Sequence, residues 1–242
     1  MRITKADLDE NGYYAASDSL ESDESIEIDA DLGTVRLRGY LKTKLSIVAA
    51  AGSGIKAGWG IEAGWGIKAA WGIKAGKGIE AGEGIAAGKG IEAGSGIEAG
   101  WGIEAGWGIE AGSGIEAGWG IAAGSGIKAG SGIEAGEGIE AGWGIKAGEG
   151  IKAGDGIEAG DGIEAALGIK AGKGIEAGLG IKAGKDISVK LRVFAGICMW
   201  RIPTTEEMTI TAQRIEGNVA FGNLVLVPSA DEAEDDEVRN NS

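Results

Sequence analysis

The 242-residue chain contains no histidine, only one cysteine (Cys198) and only two prolines. Without histidine there can be no Ser-His-Asp triad, no imidazole general base and no histidine-ligated zinc. A single cysteine excludes an intrachain disulfide, a CxxC redox pair and a thiolate zinc centre. We therefore expect no metal and no cofactor, and the sequence predicts that the chain is not an enzyme.

Basic residues are also scarce, since 23 Lys and Arg stand against 37 Asp and Glu, a net charge of −14. Binding to the phosphates of nucleic acid needs a basic surface, so we expect no direct nucleic-acid binding. We expect no membrane association either, because the charge is negative and no apolar run is long enough to span a bilayer. The start, MRITKADLDENGYY, does not resemble a secretory signal. These features predict a cytoplasmic protein, or a virion-associated one if the chain is encoded by a phage.

Glycine, by contrast, is abundant, with 49 residues, and most of it belongs to one repeat. Isoleucine recurs at every sixth position from Ile55 to Ile187, 23 times, without an insertion or a deletion. The unit reads Ile-x-Ala-Gly-x-Gly, and only Ala70 and Ala166 replace its first glycine. Two glycines per hexad would cost a helix about 2 kcal/mol, and collagen needs glycine at every third position. A fixed short period of this length indicates a repeat architecture.

The hexad predicts a short strand followed by a corner. In Ile-x-Ala the two apolar side chains lie on the same side of an extended chain, while the residue between them faces solvent. Gly-x-Gly suits a corner, where we expect either positive φ angles or tight bending, both of which glycine allows at least cost. Coils of such units stack at about 4.8 Å. The predicted fold is all-β, a parallel β-solenoid (β-helix) with β-rich caps, whose coils contain either two or three hexads.

This pattern resembles the hexapeptide-repeat β-helix proteins, in which three hexads with one aliphatic and one small residue each build a triangular coil. The resemblance covers roughly residues 52–186. In that family the small residue precedes the aliphatic one, whereas here the aliphatic one comes first, as in Ile61-Glu62-Ala63. The acyltransferases of the family use a catalytic histidine, which this chain lacks. The chain also looks loosely like uncharacterised glycine-rich repeat proteins of phage and bacterial genomes.

Composition divides the chain into four segments. An acidic N-terminal segment with irregular first coils (1–51) precedes the hexad-repeat solenoid (52–187). Alternating apolar residues then predict a C-terminal β-rich cap or association module (188–228), and an acidic, disordered tail (229–242) follows. Terminal coils of a solenoid have to cover the open sheet edge, which otherwise polymerises.

Tryptophan is the most conspicuous candidate for binding. Seven of the eight tryptophans occupy the variable corner position, next to glycine. Exposed at a corner, they would be unusual for a monomer and would favour a binding surface for protein or glycan. The alternative is that each ring lies flat over a glycine of the neighbouring coil and stabilises the stack. Because most of them fall between residues 59 and 119, we expect one side of the rod to carry them. The seven residues are Trp59, Trp65, Trp71, Trp101, Trp107, Trp119 and Trp143.

Charged residues between Ile and Ala predict solvated ladders along the rod. Coils of three hexads would place five glutamates in one acidic row: Glu62, Glu80, Glu98, Glu116 and Glu134. Such a row would repel itself unless salt screens it.

The segment 188–228 differs from the repeat in its large apolar residues. We expect Phe194, Ile197, Met199 and Trp200 to take part in association between copies, which predicts a homo-oligomer joined through this module. The overall prediction is a non-catalytic scaffold or binding protein that acts through protein–protein contacts. The alternative is an acidic inhibitor, for example a phage anti-defence protein, that mimics nucleic acid and blocks the nucleic-acid site of an enzyme.

Overall fold

Each Ile-x-Ala triplet forms a short strand and each Gly-x-Gly triplet forms a corner. Within the repeat a strand pairs in parallel with the strands three hexads before and after it, so that Ile109 lies between Ile91 and Ile127. The coil therefore consists of three hexads with one strand each, and the predicted parallel β-solenoid is confirmed. The computed structural model describes residues 1–198 and 201–228.

The strands stack into three flat faces. The first face contains β2 (Leu20–Ser22), β5 (Leu41–Thr43), β8 (Ile61–Ala63), β11 (Ile79–Ala81), β14 (Ile97–Ala99), β17 (Ile115–Ala117), β20 (Ile133–Ala135), β23 (Ile151–Ala153) and β26 (Ile169–Ala171). The second contains β1 (Arg2–Ile3), β3 (Ile26–Ile28), β6 (Ile47–Ala49), β9 (Ile67–Ala69), β12 (Ile85–Ala87), β15 (Ile103–Ala105), β18 (Ile121–Ala123), β21 (Ile139–Ala141), β24 (Ile157–Ala159) and β27 (Ile175–Ala177).

The third face contains β4 (Gly33–Leu37), β7 (Ser53–Ala57), β10 (Ile73–Ala75), β13 (Ile91–Ala93), β16 (Ile109–Ala111), β19 (Ile127–Ala129), β22 (Ile145–Ala147), β25 (Ile163–Ala165), β28 (Ile181–Ala183), β30 (Thr209–Ala212) and β32 (Asn223–Leu226). Two longer strands, β29 (Asp186–Ala195) and β31 (Arg214–Phe221), run from the first face across to the second. Eleven strands at about 4.8 Å give a rod about 50 Å long. Among the described residues the helices are single 3-10 turns, Lys5–Asp7 and Glu206–Met208, and none could span a membrane.

The core is a stack of identical layers. Each coil sends three isoleucines and three alanines inward, and in the repeat these side chains are almost completely buried. The strands are too short to form a core alone, so burial of each isoleucine depends on the coils above and below it. Each fully buried isoleucine contributes about 1.5–3 kcal/mol relative to an exposed one, which makes this layer the main source of stability.

Glycine has a different role at the corners from the predicted one. Positive φ angles occur at six glycines, Gly12, Gly33, Gly52, Gly196, Gly217 and Gly222, and all of them lie before Ile55 or after Ile187, outside the 23 regular hexads. Inside the repeat the first corner glycine lies against the backbone of the previous coil. A Cβ on Gly112 would lie 2.1 Å from the carbonyl oxygen of Gly94, whereas one on Gly114 would lie 3.4 Å from that of Gly132. Of the two expected reasons for glycine, positive φ is therefore wrong for the hexads. Close stacking of the coils is what restricts this position of the repeat, where only Ala70 and Ala166 carry a Cβ.

This difference predicts unequal effects of two neighbouring substitutions. Gly112→Ala has to push two coils apart and should destabilise the rod by about 1–3 kcal/mol, as overpacking commonly does. Gly114→Ala should change stability by less than about 1 kcal/mol, since its Cβ finds nearly ordinary contact. Thermal unfolding followed by circular dichroism measures both. Equal losses at the two sites would contradict the stacking explanation.

The first coils are longer than the repeat and are closed by polar contacts. Leu20 pairs with Leu41, and Val35 pairs with Ile55, so these coils exceed three hexads by two or three residues. The extra residues form turns held by the buried hydroxyl of Ser53, which donates to the carbonyl of Asp29 at 2.6 Å and accepts from the amide of Leu32 at 3.0 Å. Irregular coils thus replace missing backbone partners with side-chain hydrogen bonds.

The segment after the repeat continues the solenoid. Strand β29 stacks on β26 and β27, β30 stacks on β28, and a last coil made of β31 and β32 lies on top. The segment is β-rich, but its described residues extend the rod rather than fold across its end. The predicted tail, 229–242, lies outside the described residues.

Candidate binding surface

The three rows of corner residues form three edges of the rod, and tryptophans lie on all of them. The first edge, between the first and second faces, carries Trp65, Trp101 and Trp119. The second edge, between the second and third faces, carries Trp71, Trp107 and Trp143. The third edge carries Trp59. The prediction that one side carries all seven is wrong, because the three-hexad coil distributes consecutive corners among three edges. All seven side chains are exposed, with 38–63% of their surface accessible.

Tryptophans on the first edge stack along the rod axis. Trp101 and Trp119 occupy the same corner in consecutive coils, and the amide of Trp119 donates to the carbonyl of Trp101 at 2.9 Å. Their rings are nearly parallel, with an interplanar angle of 8° and centroids 5.4 Å apart. The two rings are stacked, so the face of Trp101 is turned toward the face of Trp119. Aromatic pairs of this kind contribute about 0.5–1.5 kcal/mol beyond burial.

On the second edge a lysine fills the gap between two tryptophans. Lys89 lies one coil from Trp71 and one coil from Trp107. Its ammonium nitrogen is 4.1 Å from the ring centroid of Trp71 and 5.6 Å from that of Trp107. Cation–π contact at an exposed site is worth about 0.5–1 kcal/mol. The rings therefore hold the coils together, and each still presents much of its surface to solvent.

The third edge repeats this arrangement near the N-terminus. Trp59 meets the ring of Tyr40 edge to face, at 5.0 Å and 85°. The ammonium of Lys77, one coil further on, lies 4.7 Å from the centroid of the Trp59 ring. The predicted alternative of a ring lying over glycine is replaced by contact with the corner residue of the next coil.

The first face brings the five predicted glutamates into one row. Glu62, Glu80, Glu98, Glu116 and Glu134 occupy the central position of successive strands. Lysines close both ends of the row: Lys42 binds Glu62 at 2.7 Å, and Lys152 binds Glu134. The three inner carboxylates have only carboxylates as neighbours in this ladder, so the middle of the face is strongly negative.

The third face, unlike the middle of the first, carries charged residues of both signs. Its outward residues are of mixed sign, and three ion pairs join adjacent coils: Lys74–Glu92, Lys128–Glu110 at 2.9 Å and Lys146–Glu164 at 2.9 Å. All three pairs are exposed, so each contributes at most about 1 kcal/mol. Their main effect is to fix long side chains along the rod, and the bases of the ladder outside these pairs, Arg36, Lys56 and Lys182, give this face an excess of positive charge.

The second face carries a shorter acidic cluster. Glu140, Glu158 and Glu176 follow one another in consecutive coils. Partial burial raises the pKa of the Glu158 carboxyl, and the neighbouring charges of Glu176 and Glu140 raise it further. On the third face the hydrogen bond from Lys146 instead lowers the pKa of Glu164.

These two pKa shifts predict opposite effects of pH. A raised folded-state pKa means that ionised Glu158 opposes folding above that pKa, and the penalty is relieved as pH falls through it. A lowered pKa means that ionised Glu164 favours folding above its unfolded-state pKa, and this gain is lost as pH falls through the folded-state value. At pH 7, Glu158→Gln should therefore raise Tm and Glu164→Gln should lower it, each by about 1–3 °C.

Both differences from the unsubstituted chain should shrink at pH 3. Differential scanning calorimetry at the two pH values checks the pair. Shifts of the same sign at pH 7 would contradict this account of the two ladders.

The predicted association residues lie near the C-terminal end of the rod. Phe194 faces outward on the second face and pairs with Phe221 of the last coil. Ile197 is exposed in the following loop, while Met199 and Trp200 lie outside the described residues. The loop is fastened by Arg201, whose guanidinium donates two hydrogen bonds of 2.6 Å to Glu207. This contact lowers the pKa of Glu207 to about 2.

Sequence reasoning missed the inter-coil pairs, such as Lys89 with its two tryptophans, because it left the coil length open. Aligning the sequence in rows of three hexads finds the pairs that lie within the regular repeat. No group of three or more metal-ligating side chains occurs among residues 1–198 and 201–228. Comparisons of the chain with protein-family models, with curated proteins and with solved structures give no match. The fold is a β-solenoid with one strand per hexad and three hexads per coil, and this architecture suits a scaffold or a binding surface.

Proposed function

We propose that this chain is a non-catalytic scaffold that binds other proteins through the tryptophans on its edges. The observation that carries the proposal is the exposure of all seven corner tryptophans, even after each edge has packed on itself. Tryptophan is enriched among the residues that dominate protein–protein binding energy. Regular stacking holds these side chains at fixed intervals on a stiff rod, so little freedom is lost when a partner binds.

Ring orientation favours a protein over a glycan as the partner. A sugar polymer that lay along the rod would need ring faces turned outward. The parallel Trp101 and Trp119 rings turn their faces toward each other instead, and Lys89 covers faces of Trp71 and Trp107. Ring faces that are occupied in this way are less available to a sugar, whereas the exposed part of each indole still suits a mixed apolar and polar protein surface.

The absence of catalysis is part of the same proposal. Support comes from the lack of histidine and from the state of the carboxylates in the repeat. Glu110, Glu134 and Glu164 are held by lysines of adjacent coils. The inner carboxylates of the acidic row stand exposed among like charges. Glu158 and Glu164, whose pKa values are shifted in opposite directions, lie on different faces of the rod and so do not form an acid and base pair at one site. The proposed location is the cytoplasm, or a virion if a phage encodes the chain.

Serine supplies a matched substitution for the test, because it occupies the same position of the hexad at Ser95, Ser113, Ser125 and Ser131. A variant with Trp101, Trp107 and Trp119 replaced by serine should keep the fold and lose at least tenfold in affinity for any partner recovered from host lysate. Affinity is measured by surface plasmon resonance against the recovered partner. Glu98→Gln, on the first face, is the control and should bind normally. Unchanged affinity of the serine variant would overturn the proposal.

A second candidate function rests on the acidic row of the first face. A ladder of five carboxylates, three of them with only like-charged ladder neighbours, favours an inhibitor that occupies the nucleic-acid site of an enzyme. In that case Glu98→Gln together with Glu116→Gln should weaken binding, and affinity should fall steeply between 50 and 300 mM salt. Binding through tryptophans should change little over this range, so the same measurements separate the two functions.

A further inference from the structure

The C-terminal end of the rod exposes residues that every regular coil buries. Leu224 and Leu226 of β32 lie in register with Ile210 and Ala212 of β30, and so face the core. Ile210 and Ala212 are fully buried, whereas Leu224 is 41% and Leu226 55% exposed. The leucines belong to the last described coil, and the core ends beneath them as an apolar surface.

The backbone at this end is also free to pair. Strand β31 pairs with β29 alone and β32 with β30 alone among the described residues. Their sequences, RIEGNVAF and NLVL, contain no lysine and no proline, the residues that commonly block an edge strand. Arg214 and Glu216 are the charged residues in them, and Arg214 pairs with Glu216 at 3.6 Å and with Asp186 at 3.2 Å. The surface is apolar, balanced in charge and able to accept another strand.

The N-terminal end is closed in contrast. Ile3 belongs to the first strand of its ladder and yet is fully buried. The 3-10 turn Lys5–Asp7 follows it, fixed by Thr4, whose amide and hydroxyl both donate to the Asp7 carboxylate at 2.8 Å. Leu8 then packs against the core and bridges to Tyr14, which is itself buried. The two ends of the rod therefore differ: the core side chains are covered at the N-terminal end and exposed at the C-terminal end.

We propose that the open end, formed by β31 and β32, binds the open end of a second copy and gives a dimer of two rods joined end to end. A second copy offers a coil of the same shape and strand length, which few other partners do. A twofold axis perpendicular to the rods would make the facing strands antiparallel, a pairing that backbone hydrogen bonds fully allow. The N-terminal end keeps its core side chains covered and so offers no matching apolar surface, which stops the assembly at two copies.

The size of the interface and the charge near it determine the expected affinity of the dimer. The two terminal strands contain eight and four residues, so the interface is small and a micromolar dissociation constant is expected. Six acidic residues lie between positions 231 and 237, close in sequence to the junction in both copies. Their mutual repulsion should weaken the dimer at low salt, so added salt should strengthen association, opposite to an ionic contact.

Sedimentation equilibrium of the full chain from 1 to 200 µM tests the proposal at 50 and 300 mM NaCl. We expect a monomer–dimer equilibrium that tightens with salt. Leu224→Lys with Leu226→Lys should raise the dissociation constant at least tenfold. Leu167→Lys is the matched control, because Leu167 is an exposed corner residue of the third edge, where Lys77 and Lys185 occur naturally. A monomer at all concentrations, or equal effects of the two substitutions, would overturn the dimer.

Hydrogen exchange of the unsubstituted chain gives a second readout that does not depend on variants folding. Amides of residues 214–226 should gain protection as concentration rises, while those of residues 1–19 should not change. Protection at both ends would mean head-to-tail stacking and would refute the closed dimer. Neither measurement involves the corner tryptophans, so failure of the dimer leaves the proposed binding function standing, and the reverse holds as well.

Discussion

Close contact between successive coils is the constraint on which the rest of the structure depends. The amide of Ile109 donates to the carbonyl of Gly126 at 3.0 Å, and that of Gly112 donates to Ala93 at the same distance. Repeated at each corner and strand, these bonds bring one backbone against the next, and a Cβ at the first corner glycine would lie about 2 Å from a carbonyl oxygen of the previous coil. Only Ala70 and Ala166 carry a Cβ at this position of the repeat. A layer of three isoleucines and three alanines fills each coil only because the coils are this close. Close stacking of the coils thus explains both the stability of the rod and the strict repetition of the hexad.

A second consequence of the stacking is that side chains on the surface interact mostly with the residues one coil away. Lys128 binds Glu110, and Trp119 stacks on Trp101, each pair being three hexads apart in the chain. The variable positions therefore form nearly independent one-dimensional rows, each with its own chemistry. Aromatic contacts collect on the edges, a negative row occupies the first face, and mixed charge covers the third. A surface of this kind can be altered row by row while the core remains unchanged.

Much of the fold follows from the sequence because one periodic signal governs it. Alternation within Ile-x-Ala predicts which side chains are buried, and the unbroken period predicts parallel stacking. Coil length could not be derived, since coils of two and of three hexads bury Ile109 equally well and differ only in the rows they create. The role of the corner glycines was misjudged for a related reason. The distance from Gly112 to the carbonyl of Gly94 is a property of the stacked coils and has no signature within one hexad.

The surfaces were harder to predict than the core. Seven tryptophans close together in sequence suggested one side of the rod, and their division among three edges follows only from the triangular cross-section. The exposed C-terminal end could not be predicted from the sequence for a different reason. Leu224 and Leu226 continue the apolar alternation of the buried strands, so their sequence pattern is that of a core. Exposure results from their place in the last described coil, which the pattern does not encode.

Because each coil contains three hexads, one hexad advances the chain by one third of a turn around the rod axis. Removal of one hexad from the middle would leave an Ile-x-Ala strand at every position and would keep the backbone register intact. Every residue beyond the removed hexad, however, would advance by one third of a turn relative to those before it. If the removed hexad were Ile103 to Gly108, Trp119 would leave the edge of Trp101, and Glu116 would leave the row that contains Glu98. Gain or loss of single hexads is thus neutral for the core but rearranges the surface, and only steps of three hexads preserve both.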